Sequence, residues 1–149
     1  MPPKLQSAES PWCVHFFQRH KADDPAETIP AREFLFRCPT PVQAKLVAII
    51  KAVADAPPPA FSGGGKWEAK HGDLNGFYEA RADGANREHN TLFCMRDRHG
   101  ADVGVGGPSL VLITGASKPF KTALSKNDYK KIRALGDEFL SRNPRSVAK

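Results

Sequence analysis

SLVLITGASKPFKTALSKNDY, residues 109–129, is the stretch that decides the fold predicted for this chain. Residues 110–113 form a short apolar run rich in branched side chains, which predicts a buried strand. We expect the strand to turn at Gly115 and to lead into a proline-containing loop that displays two cations, Lys118 and Lys121. A strand that ends in paired lysines holds positive charge at fixed positions, which suits a polyanionic ligand. The alternative interpretation of the same residues is a solvated turn without a ligand.

A basic helix is predicted after this loop, over residues 125–142. Ser125 and Asp128 form an approximate capping box at its start, with Asp in place of the usual Glu or Gln. Asn143 followed by Pro144 ends the helix, and one of its faces is apolar. The apolar positions are Tyr129, Ile132, Leu135, Gly136, Phe139 and Leu140.

The positive charge of the chain is concentrated near its C-terminal end. The net charge is +6, and residues 118–149 hold nine Lys or Arg against three Asp or Glu. Residues 1–117 hold thirteen of each sign and are neutral overall. An asymmetric basic end indicates nucleic acid or an acidic partner, although basic tails also arise for solubility alone.

Length and composition bound the class of protein. The 149 residues predict one domain over residues 12–149, preceded by a flexible arm over residues 1–11. No apolar run approaches the roughly 18 residues that span a bilayer and no secretion signal is recognisable, so we expect a cytoplasmic protein that does not bind membranes. Cys13, Cys38 and Cys94 lack CxxC spacing, which predicts core or near-core thiols rather than a disulfide scaffold or a zinc site.

The other elements predict an α+β domain with a mostly antiparallel sheet of about four strands. The strands are expected at residues 12–19, 74–81, 89–96 and 110–114. Short turns between the last three strands favour antiparallel pairing. Residues 61–72 are predicted to be a flexible connection; three glycines precede Lys66 there, but the spacing of a nucleotide-binding phosphate loop is missing.

An N-terminal helical hairpin is expected to pack on one face of the sheet. Its first helix covers residues 31–37, with Phe34 and Leu35 facing inward. Its second helix has Thr40 as the N-cap and Gln43 completing a capping box, and a run of three prolines ends it. Apolar residues with a 3.6-residue period run along this second helix, at Val42, Leu46, Ile49, Ile50 and Val53.

Four stretches of the chain carry a resemblance to a known family. They are AREFLFRCPTPVQAKLVAII at residues 31–50, KWEAKHGDLNGFYEAR at 66–81, HNTLFCM at 89–95 and LVLITGASKPFKT at 110–122. Together they resemble the RelE/ParE superfamily of toxins from bacterial toxin–antitoxin modules, and most closely its HigB-like, phage-derived branch. They are similar to that branch's two-helix opening, its Leu-Tyr-Glu-Leu-Arg and Tyr-Arg-Leu-Phe strands, and its last strand with a basic loop.

The resemblance implies a RelE-like fold and, for many members, ribosome-dependent cleavage of mRNA that blocks translation. It implies an endoribonuclease without a metal cofactor, the toxin of a type II toxin–antitoxin system. The partners would be mRNA, the ribosome and a cognate antitoxin, usually of the helix-turn-helix type, through which alone we expect oligomers to form. Cleavage by attack of the ribose 2′-hydroxyl on the phosphate needs a base, an acid and positive charge on the phosphate.

Carried onto this chain, the resemblance gives Arg81 as the phosphate clamp and Lys118 or Lys121 as the cation that stabilises the transition state. His89 or His71 is a candidate acid or base, because imidazole titrates near neutrality. The residues expected to bind RNA are Lys66, Lys70, His71, Arg87, Lys126 and Lys130.

Two features leave the activity open. Tyr129 lies near the position of a catalytic aromatic residue in some members, but it also fits the apolar face of its helix. Asn90 and Thr91 stand where the branch has Tyr-Arg, so an arginine that many members use on the phosphate is missing, and Arg87 would have to substitute from the turn. The alternative function is a non-cleaving protein of the same fold, either a gyrase inhibitor or an inactive interaction module derived from a toxin.

Overall fold

The fold is a five-stranded sheet with three helices in the computed structural model, which describes residues 12–55, 66–97 and 108–148. The strands are β1 (Cys13–Phe16), β2 (Trp67–Ala69), β3 (Phe77–Gly84), β4 (Glu88–Asp97) and β5 (Ser109–Pro119). The helices are α1 (Pro30–Arg37), α2 (Thr40–Asp55) and α3 (Lys126–Leu140), and none of them is long and apolar enough to cross a membrane.

The strand order in the sheet is β1-β5-β4-β3-β2. β1 pairs with β5 in parallel, and the other three neighbouring pairs are antiparallel. The predicted α+β class and the mostly antiparallel sheet are therefore confirmed, whereas the predicted number of about four strands is wrong.

The additional strand is β2, which forms inside the stretch predicted to be a flexible connection. Trp67 pairs with Ala80, is 5% exposed and stacks on Tyr78 with ring centroids 5.3 Å apart. The burial of Trp67 thus stabilises a three-residue strand, although the glycine-rich sequence before it is typical of a loop. Residues 56–65 of this region, with the prolines expected to end α2, and the predicted arm at residues 1–11 lie outside the described residues.

β5 continues to Pro119, so the turn predicted at Gly115 is wrong. Beyond a bulge in its pairing with β4, the strand goes on and Lys118 lies opposite His89. Lys118 therefore projects from a strand rather than from a loop. Lys121 follows the strand in a turn, with a positive φ of 65°.

Hydrophobic cores lie on both faces of the sheet. Along β4, Leu92 and Cys94 belong to one core and Phe93 and Met95 to the other, as the alternation of side chains along a strand requires. α1 and α2 pack on the first face, and every periodic apolar position predicted for α2 is buried there. α3 packs on the second face.

The helix caps follow the sequence prediction at one helix and depart from it at another. Thr40 is the first residue of α2 rather than its N-cap, and the Gln43 side chain donates to the Leu35 carbonyl at 2.5 Å instead of completing a capping box. At α3 the predicted box is confirmed. Ser125 accepts from the Asp128 backbone N–H at 3.1 Å, and the Asp128 carboxylate accepts from that of Ser125 at 3.0 Å.

The residues after α3 return to the free side of β1. The backbone N–H of Ala148 donates to the Phe16 carbonyl at 2.9 Å, and Val147 forms an antiparallel bridge with Phe17. Cys13 in β1 is exposed, which corrects the prediction of a core or near-core thiol at that position, while the other two cysteines are buried as predicted.

Gly115 allows β5 to pass directly beneath α1. A Cβ atom at this position would lie 2.1 Å from Cδ2 of the buried Phe34 ring. We therefore predict that Gly115→Ala lowers the free energy of unfolding by about 1–3 kcal/mol, the usual cost of overpacking a core. Urea unfolding followed by circular dichroism measures the change.

The matched control is Gly84→Ala, where the new Cβ would meet its nearest neighbours at 3.4 Å. Adding Phe34→Leu to Gly115→Ala should recover part of the lost stability, because the smaller side chain vacates the space of the ring. A Gly115→Ala variant as stable as the parent would contradict the close approach of α1 to β5.

Candidate functional site

A concave surface opens on the α3 side of the sheet, next to the first turn of α3, with a volume of about 200 Å³. Its lining residues are Lys70, Glu79, Arg81, Thr91, Phe93, Ala116, Lys118, Leu124 and Tyr129. Three of them are cations and one is a carboxylate, so the lining carries a formal charge of +2. We name this surface the cationic cleft.

The register of the sheet brings the polar side chains of the cleft together. Glu79 and Arg81 are two residues apart on β3 and therefore project from the same face. Arg81 pairs with Thr91 of β4, and Thr91 pairs with Ala116 of β5, which forms one row across three strands. Lys118, two residues beyond Ala116, lies on the same side.

A bulge between β4 and β5 decides that Lys118 faces the cleft. The bulge adds one residue to β5, which exchanges the faces to which its later side chains project. Val111 before the bulge and Ile113, the residue inserted at the bulge, belong to the core beneath α3; after the bulge, Ala116 and Lys118 line the cleft. With uninterrupted alternation, Ser117 would lie on this face instead of Lys118.

Glu79, which is not among the site residues predicted from the sequence, places a carboxylate among the cations of the cleft. Its side chain is 14% exposed, and its Oε2 lies 3.5 Å from Nζ of Lys70. Lys70 is held at this place because its backbone N–H donates to the Phe77 carbonyl at 2.9 Å. The signal for Glu79 was its spacing of two residues from Arg81 in a predicted strand.

Tyr129 forms one wall of the cleft from the first turn of α3. Its side chain is partly buried, packs against the core beneath α3 and also lines the cleft. Tyr129 therefore belongs both to the periphery of this core and to the lining of the cleft, and its catalytic role stays a prediction. The capping box of Ser125 and Asp128 fixes the start of the helix from which Tyr129 projects.

His89 lies opposite Lys118 in the sheet but is not among the residues that line the cleft. Its Nδ1 is 2.5 Å from Oδ1 of Asp83, and its ring lies against Phe120 with centroids 4.5 Å apart. Arg87, in the turn between β3 and β4, has its guanidinium carbon 6.0 Å from the centre of the Phe120 ring. These contacts hold both residues beside the β5 end of the cleft.

The other predicted residues divide between a second depression and the surface. His71 lines a smaller depression together with Lys70 and Tyr129. Four predicted lysines are exposed and belong to neither lining in the described part of the chain: Lys66, Lys121, Lys126 and Lys130.

No group of three or more His, Cys, Asp or Glu that could hold a metal ion occurs within residues 12–55, 66–97 and 108–148. In comparisons with known proteins, no family model, no curated protein and no solved structure matches the chain.

Asp128 makes the stability of the Tyr129 wall depend on pH. Hydrogen bonds from the backbone N–H and the hydroxyl of Ser125, at 3.0 and 2.9 Å, hold the pKa of the Asp128 carboxyl below its ordinary value. When folding lowers the pKa of a carboxyl, the ionised carboxylate stabilises the folded protein. This contribution is fully present at pH values above the pKa of the unfolded chain, about 3.9 for Asp, and it is lost as the pH falls through the pKa of the folded protein.

We predict that Asp128→Asn lowers the melting temperature at pH 7 and reduces the further loss that the parent shows on acidification to pH 3. Thermal unfolding followed by circular dichroism at both pH values measures the effect. Asp137→Asn removes a carboxylate of α3 outside the cap and controls for the change in charge. Equal pH dependence in the parent and Asp128→Asn would contradict the role of the cap.

Proposed function

We propose that this protein is an mRNA endonuclease of RelE-like fold, the toxin of a type II toxin–antitoxin system, which acts on ribosome-bound message at the cationic cleft. The observation that carries the proposal is that two cations, a carboxylate and a phenol line one cleft: Arg81, Lys118, Glu79 and Tyr129. These are the groups that cleavage by a ribose 2′-hydroxyl requires.

The cations of the cleft suit a phosphate in the transition state. Arg81 is exposed at the mouth of the cleft, and its planar guanidinium can donate two parallel hydrogen bonds to phosphate oxygens. Lys118 projects from the same face of the sheet, on β5, which lies on the other side of β4 from Arg81, and it supplies a point charge. Of the two lysines considered for this role, Lys118 is favoured because it lines the cleft, whereas Lys121 lies in the following turn.

The proton transfers are assigned to Glu79 and Tyr129. Glu79 accepts the proton of the 2′-hydroxyl as the hydroxyl oxygen forms a bond to phosphorus, and Nζ of Lys70 lies 3.5 Å from Oε2 of Glu79. Tyr129 donates a proton to the 5′-oxygen as its bond to phosphorus breaks. The products are a 2′,3′-cyclic phosphate and a 5′-hydroxyl, and solvent returns the proton from Glu79 to Tyr129.

Thr91 favours a second candidate, a non-cleaving protein that uses the same surface for binding alone. It is 6% exposed on the floor of the cleft, at the position where the resembling toxins carry an arginine. A gyrase inhibitor or an inactive module derived from a toxin would need the positive surface but not the proton transfers of Glu79 and Tyr129.

We predict that Arg81→Ala and Lys118→Ala each reduce mRNA cleavage by about 10²–10³-fold, the usual cost of removing a group that stabilises charge in the transition state. Lys121→Ala should reduce it less. The measurement is cleavage in a reconstituted translation reaction, with and without ribosomes, with the cut sites mapped by primer extension. Lys51→Ala on α2, on the opposite face of the sheet, is the control for a lost positive charge.

Each outcome of this experiment has a distinct meaning. Cuts that occur on translated message alone support the full proposal. Cuts on naked RNA support the nuclease activity but contradict its dependence on the ribosome. Parental cleavage by both Arg81→Ala and Lys118→Ala would contradict the location of the site. A folded parent that cuts nothing would favour the non-cleaving candidate, and gyrase supercoiling would then be assayed.

Thr91→Arg tests whether the floor of the cleft limits the reaction. A guanidinium at this position would enter the cleft between Arg81 and Lys118 and add a charge-assisted hydrogen bond to the phosphate. Because such bonds are worth about 1.5–3 kcal/mol, we expect cleavage to rise at least about tenfold in the same assay. Thr91→Lys adds the same charge without the planar guanidinium, so it separates the effect of charge from that of two parallel hydrogen bonds. An unchanged rate in folded Thr91→Arg would contradict contact between this floor and the substrate.

A further inference from the structure

A second depression, of about 130 Å³, adjoins the cationic cleft. Lys70 and Tyr129 line both surfaces, so the depression begins where the cleft ends. Its remaining lining residues are His71, Asp73 and Leu74, and Leu74 is 1% exposed. An RNA strand bound in the cleft could therefore continue directly into this smaller depression, which contains the carboxylate of Asp73.

The backbone that carries Asp73 is joined to α3 by the hydrogen bonds of one arginine. Arg133 donates from Nε to the Asp73 carbonyl at 3.0 Å and from Nη2 to the Asn75 carbonyl, and its guanidinium lies 5.0 Å from the centre of the Phe77 ring. Gly72 starts this short turn at a positive φ of 65°, which suits glycine. One arginine of α3 thus fixes the turn that carries the carboxylate beside Tyr129.

The side chains of the depression match a nucleobase of single-stranded RNA. Such bases are recognised by stacking on aromatic side chains and by hydrogen bonds to their Watson–Crick edges. Tyr129 and His71 supply flat rings, and Leu74 supplies an apolar floor. A carboxylate only accepts hydrogen bonds, and its paired oxygens fit the neighbouring N1–H and N2–H donors of guanine. Adenine presents an acceptor at N1 and would oppose the carboxylate.

We propose that this depression is a subsite for a guanine next to the phosphate in the cationic cleft, with Asp73 reading the Watson–Crick edge of the base. The inference rests on the proposed function, because it names the substrate feature recognised beside the same cleft. Tyr129 then has contacts on two sides, since its ring contacts the base and its hydroxyl reaches the phosphate group.

The test is binding of uridine heptamers that contain one central guanine or one central adenine, measured by fluorescence anisotropy. All riboses carry 2′-O-methyl groups, so that no nucleophile is available and binding is separated from cleavage. We expect the parent to bind the guanine oligomer about tenfold more tightly than the adenine oligomer, as for a two-point contact to a base edge.

Asp73→Asn keeps the size of the side chain but replaces one acceptor by an N–H donor. We expect it to abolish the preference for guanine or to shift it towards adenine, and Asp73→Ala should abolish the preference without such a shift. Glu33→Gln makes the same change of charge on α1, on the opposite face of the sheet, and should retain the parental preference. Circular dichroism verifies that each variant is folded.

Arg81→Ala separates failure of this inference from failure of the proposed function. Equal binding of both oligomers by the parent, lost in Arg81→Ala, would overturn the guanine subsite and leave the cationic cleft as an RNA site. A guanine preference that persists in both Asp73→Asn and Asp73→Ala would overturn the role of Asp73. A parent that binds neither oligomer would overturn the subsite together with RNA binding in the cleft.

Discussion

The structure depends on the pairing of β4 with β5, and above all on the single extra residue that β5 carries at the bulge. Side chains alternate along a strand, so one inserted residue exchanges the two faces for everything that follows it. Before the bulge, β5 supplies apolar side chains to the core beneath α3; after it, the same face receives Lys118. The cation of the candidate site is thus placed by a local irregularity in an otherwise regular ladder.

Elements with a local code could be predicted from the sequence. The periodic apolar face of α2 and the reciprocal cap of α3 each depend on residues within one or two turns of each other. The errors arise where distant residues decide. β2 depends on the stacking of Trp67 against Tyr78 across the sheet, and Gly115 serves to admit the ring of Phe34 rather than to turn the chain. Neither contact can be predicted from the residues next to it in the sequence.

The candidate site shows the same division between local and distant information. Lys118 was predicted from its position after an apolar strand, Arg81 was predicted from the family resemblance, and both line the cleft. Glu79 was missed because its role depends on Lys70, which belongs to a different segment of the chain. His89 was a candidate acid or base because of its residue type, but it contacts Asp83 and Phe120 and lies beside the cleft. Residue type predicts what a side chain can do, while register and packing decide where it does so.

The return of residues 146–148 to β1 matters for how copies of this protein meet one another. A sheet edge with free N–H and C=O groups is a template on which a strand of another molecule can assemble. Here Ala148 and Val147 occupy part of that template by bonding to Phe16 and Phe17. These contacts leave fewer backbone groups on this edge open to a strand of another molecule, so the residues that follow α3 protect the sheet from edge-to-edge pairing.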